Sequence, residues 1–283
     1  MADTIVIPVP ERLLAVYAVV TTDPPGDTTL YSGQGLAIDV VPVEAAPLPP
    51  SPLLRAMGAE AASISAYDSA THAVLVRCVG GAQFPPQHEL AAYATARAIA
   101  QMCDGLVVDT LIPRLVTRDR AVDEGFRLAD WVVLPHSMDS EHGSLLWFTS
   151  KGMTRFGLPE LQSHGIPEPL ANAWGAVLTG IGQVLLRDHG QALDADPTAA
   201  LREMPAQHTV SLRDIAAAYS DEARFGEDTD LDAGQEFRVE LDPATSEAAD
   251  SFITVQPPDD FGGTTDQWAA EVVKALFTDV GEG

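Results

Sequence analysis

The chain has 283 residues, of which 46% are hydrophobic and 20% charged, the composition of a globular protein with a sizeable core. Its 41 aspartate and glutamate residues outnumber 16 lysine and arginine residues, so the net charge is −25. Such a surface repels phosphate backbones and anionic lipid headgroups, so nucleic acid and membranes are not expected as partners. Mimicry of DNA or attraction of a basic protein stays open, although a solubilising surface is the simpler explanation.

The two cysteines and the N-terminus indicate a cytoplasmic protein. Cys78 and Cys103 each lie in an apolar run, as buried and reduced thiols do. The N-terminal residues include Asp3 and Glu11 and have no basic n-region, which is not the pattern of a signal peptide. Glycines and polar side chains dilute the long uncharged run 169–186, so we expect a buried core helix there rather than a membrane span.

The first part of the chain predicts strands around one alanine-rich helix. Residues 12–22 (RLLAVYAVVTT) and 36–45 (LAIDVVPVEA) read as strands, and a short helix is expected to begin near Ser51. Within 63–109, the phrases SISAY, AVLVRCVGG and LVVDT predict three more strands, with the helix before the last. Its predicted apolar stripe, with Gly105 as the stop, contains Leu90, Tyr93, Ala94, Ala98 and Met102.

A similar order recurs from residue 130 to 194, with WVVLPH, SLLWFTSKG, an inserted segment, a long helix and QALDA. Each copy places a hairpin with an Asp-Ser pair before a helix that ends in glycine, so we hypothesise a diverged duplication of one ββαβ unit. The predicted fold class is α/β of the α+β kind. We expect antiparallel or mixed sheets with helices on one face, similar to the ferredoxin-like class.

The last part of the chain is acidic. After Ser211 we expect a solvated loop or lid with one strand near GQEFRVELD, followed by a helix that docks through Trp268, Val272 and Leu276. The predicted domains are therefore an α+β unit over 1–125, a second over 126–210, and the segment 211–283 packed on the second.

The densest group of reactive side chains lies between Trp131 and Glu168. Imidazoles and carboxylates can bind metals, but a hairpin turn points neighbouring side chains in different directions, so a polar turn is favoured over a metal site. No metal and no cofactor are expected. The residues of that turn are His136, Asp139, Glu141 and His142.

The segment FTSKGMTRFGLPEL is the more unusual one. Lys151 and Arg155, four residues apart beside two glycines, could face one anion, such as a carboxylate or phosphate. Alternatively, the glycines serve only the turn and Arg155 pairs with Glu160. Glu160 and His164 could form an acid/base pair if the segment is helical, whereas Pro159 and Gly165 favour an extended path. The candidate ligand-binding residues are Lys151, Arg155, Glu160, His164 and His136.

No nucleophile elbow, Walker loop, dinucleotide fingerprint, HExxH or kinase motif occurs in the sequence. The isolated histidines are expected at solvated positions; they are His72, His88, His189 and His208.

The phrases KGMTRFGLPEL and ARAIAQMCDGLVVD resemble those of bacterial proteins of unknown function, which combine a KGMxxFGxPEL-like signature with an upstream ARALAEATGGVVYD-like phrase. The chain departs from the upstream phrase at Cys103 and Asp104. The resemblance covers about half the chain, implies a cytosolic α/β protein and supplies no activity. The matching positions are Lys151, Gly152, Met153, Phe156, Gly157, Pro159, Glu160 and Leu161.

We therefore expect a non-catalytic binding or regulatory protein that recognises a partner protein or a small anionic molecule, with a homodimer also open. The alternative is a small-molecule enzyme that uses the polar segment from His136 to His164. An enclosed pocket where Lys151, Arg155 and a histidine converge would favour an enzyme or ligand sensor. A flat apolar patch would favour a protein partner.

Overall fold

The computed structural model describes residues 3–24, 26, 33, 35–116, 126–138, 144–222, 225, 229–243 and 251–277. Its strands are β1 (Thr4–Pro8), β2 (Leu13–Thr21), β3 (Leu36–Pro42), β4 (His72–Gly80), β5 (Leu106–Asp109), β6 (Arg114–Leu115), β7 (His136–Met138), β8 (Leu145–Thr149), β9 (Glu160–Pro167), β10 (Leu201–Pro205), β11 (Gln207–Ser211), β12 (Gly234–Asp242) and β13 (Phe252–Gln256). Its α-helices are α1 (Ser51–Ala56), α2 (Ala61–Asp68), α3 (Gln87–Cys103), α4 (Ala171–Ala195), α5 (Leu212–Tyr219) and α6 (Thr265–Phe277). The predicted α+β class is confirmed.

The chain forms two compact units. One is Pro10–Arg120, here called the inserted unit, and the other combines Met1–Val9 with Ala121–Gly283, here called the C-terminal unit. The predicted boundary after residue 125 lies outside the described residues. The first nine residues group with the C-terminal unit, and 211–283 shares that unit with 126–210.

The inserted unit is built on a five-stranded antiparallel sheet in the order β3-β4-β2-β5-β6. Successive side chains of a strand point to opposite faces. Tyr17 and Val19 of β2 pack in the core formed with α3, whereas Ala18 and Val20 pack in a second core with α1 and α2. Helices therefore lie on both faces of this sheet, whereas the sequence predicted helices on one face.

Helix α3 confirms the predicted alanine-rich helix, but the predicted stripe is wrong except for Tyr93. The residues that face the core include Ala92, Ala96 and Ile99, while Met102 is 50% exposed. Because alanine recurs on every side of this helix, the apolar period does not define one face. The small side chains of Ala92 and Ala96 face the core together with the larger Tyr93 and Ile99.

The C-terminal unit contains a six-stranded mixed sheet in the order β11-β12-β13-β9-β8-β7, and β1 pairs with β10 in a separate two-stranded sheet. The pair β13 and β9 is parallel, and the other neighbours are antiparallel. Helices α4 and α6 pack on β9, and α5 packs on α4. Trp174 of α4 and Trp268 of α6 meet edge to face with ring centroids 5.1 Å apart, so the C-terminal helix docks as predicted.

Helix α4 is the central helix of this unit. Among the described helices, only the stretch Glu168–Ala195 is long and apolar enough to cross a membrane, and 56% of its most apolar window is buried inside the protein. This burial is typical of a core helix. Gly180 allows α5 to approach closely, because a Cβ at that position would lie 2.6 Å from Cγ1 of Ile215.

The predicted duplication is wrong. The phrase SISAY lies in α2 and QALDA lies in α4, so neither is a strand. The two sheets also differ in strand number and order. The alternation that favoured strands extends over only five residues in each phrase, and so short a run does not distinguish a strand from a buried helix.

The acidic segment after Ser211 contains more structure than predicted. Helix α5 starts with a capping box, in which the Ser211 hydroxyl accepts the N–H of Asp214 while the Asp214 carboxylate accepts the N–H of Ser211. The expected strand GQEFRVELD is confirmed as β12, and β13 joins it to the sheet.

Candidate functional site

The loop between β8 and β9 carries the KGMxxFGxPEL-like residues. After Gly152 the chain forms a short 3-10 helix, Met153–Phe156, which ends at Gly157. Both glycines have positive φ angles, 123° and 81°, which residues with a Cβ avoid. A Cβ at position 152 would lie 2.2 Å from the carbonyl oxygen of Trp131, so the turn requires glycine.

The carboxylate of Glu160 fills the space that this loop encloses. Its Oε1 atom accepts the N–H groups of Gly152 (2.8 Å) and Thr154 (3.4 Å) and the Thr154 hydroxyl (3.1 Å). Its Oε2 atom accepts the Ser150 hydroxyl (2.5 Å) and the N–H of Met153 (3.1 Å). Converging N–H groups at the start of a helical turn form an anion site. Here the chain supplies the anion itself, and we call these donors the Glu160 cradle.

The extended path of this segment is confirmed, so Glu160 and His164 do not form an acid/base pair. Strand β9 is extended from Glu160 to Pro167, and four residues of strand span roughly 13 Å. The pair required a helix. The His164 ring instead stacks on Trp147, with centroids 5.3 Å apart and planes 9° from parallel.

Lys151 and Arg155 occupy different environments. Lys151 is exposed, and its main chain pairs with Val133 through two hydrogen bonds of 2.9 and 3.0 Å. Arg155 is 3% exposed, and its guanidinium carbon lies 6.0 Å from the ring centroid of Trp131. One cation is in solvent and the other is in the core, so the structure does not bring them together at an open surface.

His136 lines a half-enclosed cleft of about 270 Å³, here called the His136 cleft. Strands β7 and β8 contribute His136 and Phe148, α4 contributes Asn172, Gly175 and Thr179, and α5 contributes Tyr219. The His136 ring packs on Phe148 with centroids 4.9 Å apart. The cleft therefore combines an aromatic wall with four polar side chains.

The polar groups of the cleft differ in how far they are engaged. The Thr179 hydroxyl donates to the carbonyl of Gly175 at 2.8 Å. The Tyr219 hydroxyl lies 3.3 Å from Thr179, a weak contact that leaves its proton available to a better acceptor. Within the described part of the chain, the side chains of His136 and Asn172 have no hydrogen-bond partner, and no aspartate or glutamate lines the cleft.

His164 lines a different cleft, of about 400 Å³, next to the start of α6. Leu145, Thr265 and Asp266 contribute to it. The two histidines of the predicted site therefore belong to separate surfaces, and neither cleft is lined by Lys151 or Arg155.

Asp139, Glu141 and His142 lie outside the described residues. Within the described ranges, no group of three or more His, Cys, Asp or Glu side chains is arranged to hold a metal ion. The expectation of no metal therefore stays a prediction.

The expectation of solvated histidines is wrong for three of the four. His88 and His189 are buried, and the side chain of His208 is only 4% exposed and lies 3.3 Å from Asp188. The Nε2 atom of His189 lies 3.1 Å from the carbonyl oxygen of Phe156, so it donates there and links α4 to the 3-10 helix. Burial, and secondly the charge of Arg202, lower the pKa of His189 to about 4, so its ring is neutral at pH 7.

The sequence did not point to Asn172, Thr179 and Tyr219. Tyr219 lies in the segment predicted as a solvated loop, and Asn172 and Thr179 lie in a helix predicted as core. These residues come from separate parts of the chain, so no local spacing marks them. The packing of α5 on α4 brings Tyr219 to the two α4 residues, and all three line the same cleft as His136.

Fold and site together define a two-unit α+β protein with half-enclosed clefts on its C-terminal unit. Comparison with protein-family models, curated proteins and solved structures finds no match for the chain.

Proposed function

We propose that the protein is a non-catalytic cytoplasmic binding protein that takes a small anionic ligand in the His136 cleft. The observation that carries this proposal is the lining: His136, Asn172 and Tyr219 can each donate a hydrogen bond, and no carboxylate is present among the described lining residues. In a chain of net charge −25, such a surface is an exception that favours a ligand with acceptor oxygens.

The size of the cleft supports a small molecule rather than a protein partner. Ligand pockets span roughly 300–1,000 Å³, and this cleft is close to the lower end at about 270 Å³. This volume corresponds to about nine water molecules. A flat apolar patch would have favoured a protein partner, whereas a concave surface with polar groups favours a ligand.

The surroundings of His136 support binding rather than catalysis. A catalytic histidine is usually oriented by a carboxylate or a carbonyl group. Among the described residues, none forms an ion pair or hydrogen bond with the side chain of His136, and its ring contact is with Phe148. Glu160, the only carboxylate among the candidate ligand-binding residues, is held by the Glu160 cradle. Neither cysteine forms a disulfide bond, which fits a reducing cytoplasm.

The variant Gly175→Leu tests the site because it fills the cleft without removing a contact. An added Cβ at Gly175 meets no atom within 4 Å, and leucine is a better helix former than glycine. Ala275→Leu, at an exposed position of α6 outside the cleft, is the matched control. The measurement is the shift in unfolding temperature with a panel of small phosphates and carboxylates, from inorganic phosphate and acetate upward.

We expect at least one probe to stabilise the wild type and Ala275→Leu but not Gly175→Leu. A wild type that responds to none of the probes, or a Gly175→Leu protein that responds as the wild type does, contradicts the proposal. Chemical conversion of a bound probe, detected by mass spectrometry and lost in His136→Asn, would favour the enzyme alternative instead.

A further inference from the structure

A third cleft lies near the other end of α4. It has a volume of about 490 Å³ and is formed by α4 and β10. Helix α4 contributes Asp188, Gln191 and Ala192, and β10 contributes Arg202, Glu203, Met204 and Pro205. We call it the Arg202 cleft. The His136 cleft uses Asn172 to Thr179 of the same helix, so the two clefts share no residue.

Arg202 is a buried cation that forms no close ion pair with a described residue. It is 5% exposed, and no Asp or Glu oxygen of the described residues lies within ion-pair distance of its guanidinium. Its Nε atom is buried and forms no hydrogen bond. Desolvation lowers the pKa of Arg202, as expected for a charge removed from water, and the charge of nearby Asp196 opposes this shift only in part. Buried charges in proteins are normally paired, so this arginine is an exception that requires a cause.

The contacts that Arg202 does make explain its position but not its charge. Nη1 donates to the carbonyl of His189 at 3.4 Å and Nη2 to that of Asp196 at 3.5 Å. Asp196 is the C-cap residue of α4, where the helix dipole favours a cation. Hydrogen bonds of this length are weak, because N–H···O bonds usually measure 2.7–3.2 Å. A capping role alone therefore leaves most of the donor capacity of the guanidinium unused.

The rest of the lining carries the opposite charge and an apolar surface. Glu203 is exposed and forms no ion pair with any residue in the described ranges. The Asp188 carboxylate lies 3.3 Å from Nδ1 of His208 and 3.5 Å from Nε of Arg187. The apolar part of the lining consists of Ala192, Met204 and Pro205. The cleft thus presents a buried cation, the exposed carboxylate of Glu203, the half-buried carboxylate of Asp188, and an apolar wall.

We propose that the Arg202 cleft binds a small zwitterion of the α-amino acid type. The carboxylate of the ligand pairs with Arg202, whose planar fork suits a carboxylate, and its ammonium group meets Glu203 and Asp188. An aliphatic side chain lies along Met204 and Pro205. This inference does not rest on the His136 cleft, because a different part of the surface carries it.

The test uses the common L-amino acids as probes, one at a time, with the full-length protein. Unfolding temperature identifies the responding probe, and isothermal titration measures its affinity. Arg202→Met removes the guanidinium and keeps the apolar stem. Arg213→Met is the matched control, because Arg213 is an exposed cation held by Asp232 at 2.6 and 3.0 Å outside the cleft. The 2-hydroxy acid that matches the responding amino acid tests the role of the ammonium group.

We expect one or more amino acids to bind the wild type and Arg213→Met, and Arg202→Met to lose at least tenfold in affinity. The matching 2-hydroxy acid should bind at least tenfold more weakly than the amino acid. If Arg202→Met is unstable, Glu203→Gln tests the site instead, because it changes an exposed side chain and should not affect folding. We expect this variant to bind the amino acid several-fold more weakly than the wild type.

Three results would overturn the proposal. They are a wild type that no amino acid stabilises, an Arg202→Met protein that keeps wild-type affinity, and a 2-hydroxy acid that binds as well as its amino acid. If Arg202→Met lowers stability and Glu203→Gln leaves affinity unchanged, Arg202 is a helix cap and the proposal is wrong.

Discussion

Replacing Glu160 by glutamine should destabilise the C-terminal unit, because the Glu160 cradle needs a carboxylate. The glutamine side chain keeps one oxygen for Gly152 and Thr154 but puts an NH₂ group where Oε2 accepts Ser150 and Met153. The Ser150 hydroxyl and the Met153 N–H, both buried donors, then face the NH₂ group, which is also a donor. An unsatisfied buried donor costs about 1–3 kcal/mol, so we expect Glu160→Gln to lower the free energy of unfolding by about 2–4 kcal/mol.

Tryptophan fluorescence during urea unfolding measures this loss selectively. All four tryptophans, at 131, 147, 174 and 268, belong to the C-terminal unit, so their signal follows that unit. The control is Glu271→Gln, an exposed position on α6 where the same substitution should change stability by less than about 0.5 kcal/mol. If Glu160→Gln matches this control, the hydrogen bonds of the cradle do not stabilise the fold and the reasoning is refuted.

Three further predictions concern backbone strain, pH and thiol reactivity. Gly152→Ala, with its positive φ and a Cβ 2.2 Å from a carbonyl oxygen, should cost at least about 2 kcal/mol in urea unfolding, whereas Gly262→Ala, with open space around its Cβ, should not. Burial, and secondly the charge of Arg202, lower the pKa of His189 from 6.5 to about 4. As the pH is lowered, the unfolded chain therefore takes up this proton before the folded protein does. The free energy of unfolding should fall as the pH drops from 6.5 to 4, by about 3 kcal/mol at pH 4. His189→Gln should flatten that part of the stability curve, and parallel curves would contradict the assignment. Desolvation, and secondly a nearby glutamate, raise the pKa of the buried Cys78 thiol, so peptide mapping after iodoacetamide treatment should show Cys103 modified first; equal rates would be inconsistent with this.

Long, uniformly apolar elements were predictable from the sequence. Strands β2 and β4 and helix α4 have enough β-branched or bulky side chains to define their type. Short phrases were not predictable. SISAY has the alternation of a strand, but its tertiary contacts make it a helix in which Ile64 and Tyr67 are buried.

The site was predictable only in part. The glycines and Glu160 of the KGMTRFG loop stood out in the sequence, but their spacing could not show that the carboxylate folds back onto the loop that precedes it. A loop rich in N–H donors looks the same in sequence whether an external anion or a nearby side chain fills it. Arg202 had no local signal at all, since its burial depends on the approach of β10 to the end of α4.

The pairing of β1 with β10 has a consequence for how the chain is made. Thr4 lies opposite Pro205, so about 200 residues must leave the ribosome before the first strand finds its partner. All residues of the inserted unit, Pro10–Arg120, are synthesised long before that point, so this unit can fold first. Until β10 has been synthesised, both edges of β1 stay unpaired. A fragment that begins at residue 121 would lack β1 altogether, and β10, with Arg202 on it, would lose its only neighbour among the described strands. Expressing the C-terminal unit alone therefore requires the first nine residues as well.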